Sequence, residues 1–303
     1  MNVFFHVLTQ NILPIALVAA IGYLARRRFD LHVGTLSSIV FNVLSPALVF
    51  SSLATSQLPA GELAELFGFA AINVLAMGGL GFVLARLLRL DRSATATLLI
   101  VVMFGNVGNY GLTLLQLRYG EDGMSRGVIY YIVSTIMAYT LGVFVASLGR
   151  AGWRETLRRM ARLPAVYAAV LAIIVYSFQI PVPTPIMRGI TIVGAGAIPI
   201  MLLVLGMQIA DLRPDDATGY VWPAVALRLV GGAVVGLSLA WLLGLQGLGR
   251  NAMIIESAMP AAVITLFLAT EFDLPTPSVA RIVVYSTLLS PLTIAATITI
   301  LGL

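Results

Sequence analysis

Apolar segments of about twenty residues, each long enough to cross roughly 30 Å of hydrocarbon, follow one another through almost the whole chain. They run at about 2–25, 34–55, 63–86, 94–117, 126–148, 163–179, 186–208, 219–243, 250–270 and 279–301. Polar punctuation is clear at Arg26–Asp30, Arg150–Arg162 and Arg213–Asp216. It is weak at Leu243–Arg250, where the eighth and ninth segments could merge and leave nine spans. In lipid the backbone must satisfy its own N–H and C=O groups, so only helices or closed barrels cross. Segments this long predict an all-α membrane protein of ten transmembrane helices.

Composition agrees. Of 303 residues, 59% are hydrophobic and 10% charged, against roughly a quarter charged in a soluble domain. There is no cysteine, which excludes disulfides, thiolate metal sites and a thiol nucleophile. All 18 basic residues are arginine, placed as basic loops beside spans rather than as a nucleic-acid face. Met1 to Ala25 lacks a positive n-region, and its charges follow the apolar run. It reads as a first span, not a signal peptide.

The arginines also set orientation. Odd-numbered loops hold thirteen (Arg26, Arg27, Arg28, Arg86, Arg89, Arg92, Arg150, Arg154, Arg158, Arg159, Arg162, Arg213, Arg281) and even-numbered loops four (Arg118, Arg126, Arg188, Arg250). Odd loops are therefore expected in the cytoplasm and both termini outside. The halves echo each other: Pro46 and Pro199 are 153 residues apart, and Leu112-Thr113-Leu114-Leu115 precedes Ile264-Thr265-Leu266-Phe267 by 152. Five spans per half is an odd number, so the halves, 1–149 and 163–303 around a 150–162 cytoplasmic linker, form two inverted five-helix repeats.

Two interruptions fall where helices should cross. Gly105-Asn106-Val107-Gly108-Asn109-Tyr110-Gly111 breaks the fourth span, and Met259-Pro260 breaks the ninth. Glycine lets the backbone leave the helix, and asparagine amides can replace lost bonds or hold a ligand. Pro260 cannot donate to the carbonyl of Glu256. Half-helices starting near Leu112 and Ala261 would aim positive ends inward, which suits a small anion such as a carboxylate. Candidate substrate residues are Asn106, Gly108, Asn109, Tyr110, Gly111, Leu112, Met259, Pro260 and Ala261, with Asn42 and Ser45 ahead of Pro46 in the second span. Asn42 could equally bond helix to helix. Asn73, beside Met77-Gly78-Gly79, reads as tight helix packing.

A carboxylate near the bilayer centre costs about 2.5–3.5 kcal/mol on insertion scales, so Glu256 needs a reason to be there. It stands one turn before Pro260 and should face the unwound segment. Three roles are open: sodium ligand with backbone carbonyls, proton acceptor, or structural partner of Arg228. Ser257, Thr265 and Thr113 could add hydroxyls to a coupling-ion or proton site, though such groups often bond their own helix. Arg228, about nine residues into the eighth span, either snorkels to the surface or meets Glu256 or a bound anion. His6 and His32 sit near span edges and support no metal site; sodium is the one metal in question. Trp153 and Arg154–Arg162 read as an amphipathic linker on anionic lipid.

At Gly105-Asn106-Val107-Gly108-Asn109-Tyr110-Gly111-Leu112 and Ser257-Ala258-Met259-Pro260-Ala261-Ala262-Val263 the chain resembles the auxin efflux carrier family, including its bacterial members. The layout is shared with bile acid–sodium symporters. The resemblance implies a scaffold of spans 1, 2, 6 and 7 that forms a homodimer. It also implies a transport domain of spans 3–5 and 8–10, broken helices crossing at the midplane, and elevator-type movement in an inner (plasma) membrane. It makes Asn106 a substrate contact, faced by Asn42 to Pro46. The chain departs from many relatives at Thr113 (often proline), Ile264 (often asparagine) and Glu256 (often uncharged). The expected function is secondary transport of a small organic anion, either an indole-type acid or a malate-like dicarboxylate, coupled to sodium or protons. A bile acid symporter-like carrier, an anion channel and a ligand-sensing receptor are the rivals. No metal spacing, nucleophile elbow or aspartate pair suggests an enzyme.

Overall fold

The computed structural model describes residues 3–55, 58–147, 164–211 and 219–303. Among these, regular structure is helical apart from one antiparallel β-bridge, Gly105 to Ala261. In chain order the helices are α1 (Val3–Arg28), α2 (Val33–Ala54), α3 (Ala60–Leu87), α4 (Arg92–Met103), α5 (Val107–Ala146), α6 (Pro164–Ser177), α7 (Thr184–Asp211), α8 (Val221–Leu242), α9 (Gly247–Ser257), α10 (Ile264–Glu271) and α11 (Thr276–Leu301). Seven of them (α1, α2, α3, α5, α7, α8, α11) are long and apolar enough to cross a membrane.

The difference from ten has local causes. The expected fourth span is split between α4 and the start of α5, and the ninth between α9 and α10. The expected fifth span follows within α5, where Gly120 (φ 66°, ψ −154°) interrupts the helix. This is backbone that only glycine adopts freely. The eighth and ninth segments do not merge: α8 stops at Leu242, Gly244 turns left-handed (φ 68°), and Leu245 N–H bonds Ala240 O at 2.9 Å. That is a glycine C-cap of the Schellman kind. The expected 150–162 linker, with Trp153, and Arg213 lie outside the described residues.

Termini of other helices follow their residues. Asp91 caps α4 by accepting from Ala94 N–H at 2.8 Å, and Arg26, Arg27 and Arg28 close α1 at its negative end. Short π-helical turns interrupt α1, α2, α5 and α8, at Val7–Ile12, Val40–Leu44, Ala138–Gly142 and Leu227–Gly231, and another, Val107–Leu112, begins α5. Those in α1 and α2 come just before Pro14 and Pro46, which cannot supply the regular helical donor.

The helices sort by packing into two groups. α7 lies along α1, and both α6 and α7 lie along α2. Close approach there depends on small residues: a Cβ on Gly22 would strike Leu203 O, one on Gly206 would strike Ala19 O, and one on Gly194 would lie 2.9 Å from Leu48 N. An Arg26 Nε–Asp211 Oδ1 ion pair of 2.8 Å ties α1 to α7. In the second group α3 packs on α4 and α5, and α9 on α8 and α5. The two interruptions meet inside this second group, next to the first.

Candidate functional site

The breaks satisfy each other's backbone. Asn106 N–H donates to Pro260 O at 2.7 Å and Ala262 N–H to Phe104 O at 2.9 Å, making a two-bond ribbon where the segments cross. Beyond it, Ala261 N–H donates to Ser286 Oγ of α11 at 3.1 Å. Glu256 O, deprived of a donor by Pro260, accepts instead from Met259 N–H at 3.3 Å. Three further carbonyls go to one side chain. Arg228 donates from Nε to Met259 O (2.8 Å), from Nη1 to Val102 O (2.7 Å) and from Nη2 to Ser257 O (2.6 Å), with no exposed surface. Arg228 therefore does not snorkel: it sits in the π-turn of α8, behind Gly105. A Cβ on Gly105 would lie 2.9 Å from Nη2, so glycine is what admits the guanidinium.

Against this crossing lies a cavity of about 730 Å³. One wall is the first break, Phe104 to Asn109, with Ala262, Val263 and Ile264 after the second. The opposite wall comes from α2 and α7, including Ser37, Ser38, Asn42 and Gln208. Phe41, Tyr131, Tyr139 and Phe267 make it aromatic. Asn106 is 5% exposed, and among the described residues neither its Nδ2 nor Gln208 Oε1 has a hydrogen-bond partner. The first internal bonds of α5 run from Tyr110 and Gly111 N–H to Asn106 O, so the N–H groups of Val107, Gly108 and Asn109 precede the helical ladder. The wall thus offers amide donors, a helix N-terminus and rings, with no arginine among the described residues that line it.

The sequence candidates separate into two sets. Asn42, Asn106, Gly108 and Asn109 line the cavity; Asn42 is exposed there and its Nδ2 also donates to Ser38 O at 2.9 Å. Ser45, Tyr110, Gly111, Leu112, Met259, Pro260 and Ala261 are buried behind the lining. Glu256 is fully buried but faces away from the cavity. A Cβ on Gly111 would strike its carboxylate, and one on Gly127 would lie 2.9 Å from Oε1. Neither carboxylate oxygen has a hydrogen-bond partner, and no ion pair joins Glu256 to Arg228 among the described residues. The hydroxyls expected beside it turn to nearby main chain: Ser257 to Met253 O (2.7 Å) and Thr113 to Asn109 O (3.0 Å) of their own helices, and Thr265 to Ala262 O (2.6 Å) of the second break. Asn73 instead accepts from Tyr130 Oη at 2.7 Å, linking α3 to α5.

A second cavity, of about 680 Å³, lies at the other ends of α2 and α7. It is lined by Ser51, Ser52 and Thr55 of α2, by Thr191 and Pro199 of α7, and by Gln116, Glu121 and Arg126 around the Gly120 bend. Arg126 Nε pairs there with Glu62 Oε1 of α3 at 2.6 Å. Ser286, Tyr131 and Tyr139 are not among the sequence candidates; isolated polar or aromatic residues in apolar helices carry no spacing signal.

The family model described as membrane transport protein matches residues 7–152 and 150–298. An uncharacterized transporter of Methanocaldococcus jannaschii is 23% identical over 297 residues, covering 94% of this chain and 96% of its own length. One of Methanothermobacter thermautotrophicus is 24% identical over 291 residues, covering 93% and 94%. Auxin efflux carrier component 1 of Arabidopsis thaliana is 25% identical over 145 residues, covering 47% of this chain and 23% of that protein.

Proposed function

We propose, from the premise that this chain belongs to the membrane transport protein family, that it is a secondary carrier of a small organic anion with an apolar body. Family membership makes it an integral membrane transporter, not an enzyme. The observation carrying the substrate class is the cavity at the crossing: an unpartnered Asn106 amide beside the free N–H groups of α5, in an aromatic enclosure. Such a wall suits one carboxylate with a ring behind it. A second carboxylate would need a cation; among the described residues the lining holds no arginine, and Arg228 lies outside it with all three of its nitrogens donating to carbonyls. An indole-type acid therefore fits better than a malate-like dicarboxylate. The plant relatives, named as auxin efflux carriers, agree with that choice.

Transport in this reading is alternating access of elevator type. α3–α5 and α8–α11 move as the transport domain against a scaffold of α1, α2, α6 and α7, which also forms the homodimer. The packing groups and the two cavities at opposite ends of α2 and α7 support it. Ten crossings in two inverted repeats account for the matched interruptions in α4–α5 and α9–α10. By the arginine distribution both termini lie outside an inner (plasma) membrane, and the crossing cavity, at the start of α2, opens to the cytoplasm. Coupling is assigned to Glu256 as a proton acceptor, because its two oxygens are the unpartnered ones while the neighbouring hydroxyls point elsewhere.

Purified protein in proteoliposomes, loaded with labelled indole-3-acetate or malate under a pH gradient, tests this. Indole-3-acetate should exchange saturably and malate weakly, with Glu256→Gln losing the response to pH. Conductance in place of saturable exchange would make the protein a channel. Absence of flux for every acid would end the carrier reading.

A further inference from the structure

The layout shared with sodium symporters implies a sodium ion at the crossing, held by carbonyls freed at the breaks together with Glu256. The residues present do not fit one. Val102 O, Ser257 O and Met259 O, three of the carbonyls that the breaks release, accept from Arg228 at 2.6–2.8 Å, and Glu256 O, Phe104 O and Pro260 O accept from backbone N–H groups. Glu256 turns the other way, onto Gly111 and Gly127; the hydroxyls of Ser257 and Thr113 bond their own helices, and that of Thr265 bonds Ala262 O. The donors that a sodium ion would gather are dispersed or occupied.

We propose that Arg228 is a resident cation that takes the place of a coupling metal ion, so that anion transport by this chain is independent of sodium. The electrostatics follow from which helix ends meet. α4 and α9 bring their C-terminal ends to the crossing, and α5 and α10 bring their N-terminal ends. Each end carries about half an elementary charge, negative at C-termini and positive at N-termini. One guanidinium roughly cancels the two negative ends and leaves the two positive ends for the substrate. Two glycines make room for it: Gly105, whose Cβ would press on the guanidinium, and Gly232, whose Cβ would strike Ser257 O. Arg228 lines neither of the two cavities, so it is a positioning residue: it fixes both breaks in register and sets the sign of the site.

Thermal unfolding of the purified chain in sodium chloride and in choline chloride, at equal ionic strength, tests this without any substrate. Wild type should melt at the same temperature in both. A saturable sodium-specific rise overturns the proposal. Arg228→Ala should melt lower by roughly 5 °C or more and recover in millimolar methylguanidinium but not in choline. A variant as stable as wild type, or indifferent to methylguanidinium, also overturns it. If Arg228→Ala yields no folded protein, the wild-type salt comparison decides alone. The transport arm rests on the carrier reading: replacing sodium with choline should leave wild-type indole-3-acetate flux unchanged. Wild type inactive with every acid would sink the carrier reading and leave the thermal result standing.

Discussion

At Asn106 the main chain is held on both sides, its N–H on Pro260 O and its C=O under Tyr110 and Gly111. The amide side chain is thereby delivered to the cavity wall with Nδ2 unpaired. A hydrogen bond to a charged partner contributes about 1.5–3 kcal/mol, so Asn106→Ala should weaken anion binding by roughly tenfold or more. Isothermal titration against indole-3-acetate would check it, and unaltered affinity would remove Asn106 from the site. Gly111 has a different job. A methyl there collides with the Glu256 carboxylate, and overpacking of this kind costs about 1–3 kcal/mol. Gly111→Ala should lower the melting temperature, and adding Glu256→Ala should restore part of it. An additive double variant would contradict the contact.

The helical elements show why some of this was legible in the sequence and some was not. Glycine, asparagine and proline inside apolar runs announce a broken helix, and both breaks are where they were expected. The spacing to Pro260 sets a direction for Glu256 only if the helix continues; α9 ends at Ser257, and the carboxylate lies against Gly111 of the first break and Gly127 of α5. Arg228 was ambiguous because nine residues of depth suit both snorkelling and burial; only the carbonyls freed by two distant breaks decide it. The π-turns have no spacing signature beyond the prolines that follow two of them. Gly120 falls between the expected fourth and fifth spans, and its non-helical backbone is the bend between the two helical stretches of α5. Its backbone is close to glycine-only, so Gly120→Ala should destabilise by about 1–3 kcal/mol, read as a lower midpoint in thermal unfolding. An unchanged midpoint would mean the bend is not strained.

Across the whole molecule, two cavities share α2 and α7 as a common wall, one toward Ser38 and Gln208, the other toward Ser52 and Pro199. The chain contains no cysteine, so single cysteines report cleanly. Ser38→Cys should label from the cytoplasmic side and Ser52→Cys from the outside, with indole-3-acetate protecting the first. Labelling of both from one side would refute the arrangement of cavities across the membrane. The most direct test of the account is equilibrium binding of tritiated indole-3-acetate to the purified chain, with malate as competitor and Asn106→Ala as control. The account predicts saturable binding, weak competition by malate and a loss of affinity in the variant. Full displacement by malate, or binding indifferent to Asn106, would contradict an anion site built at the crossing of the two breaks.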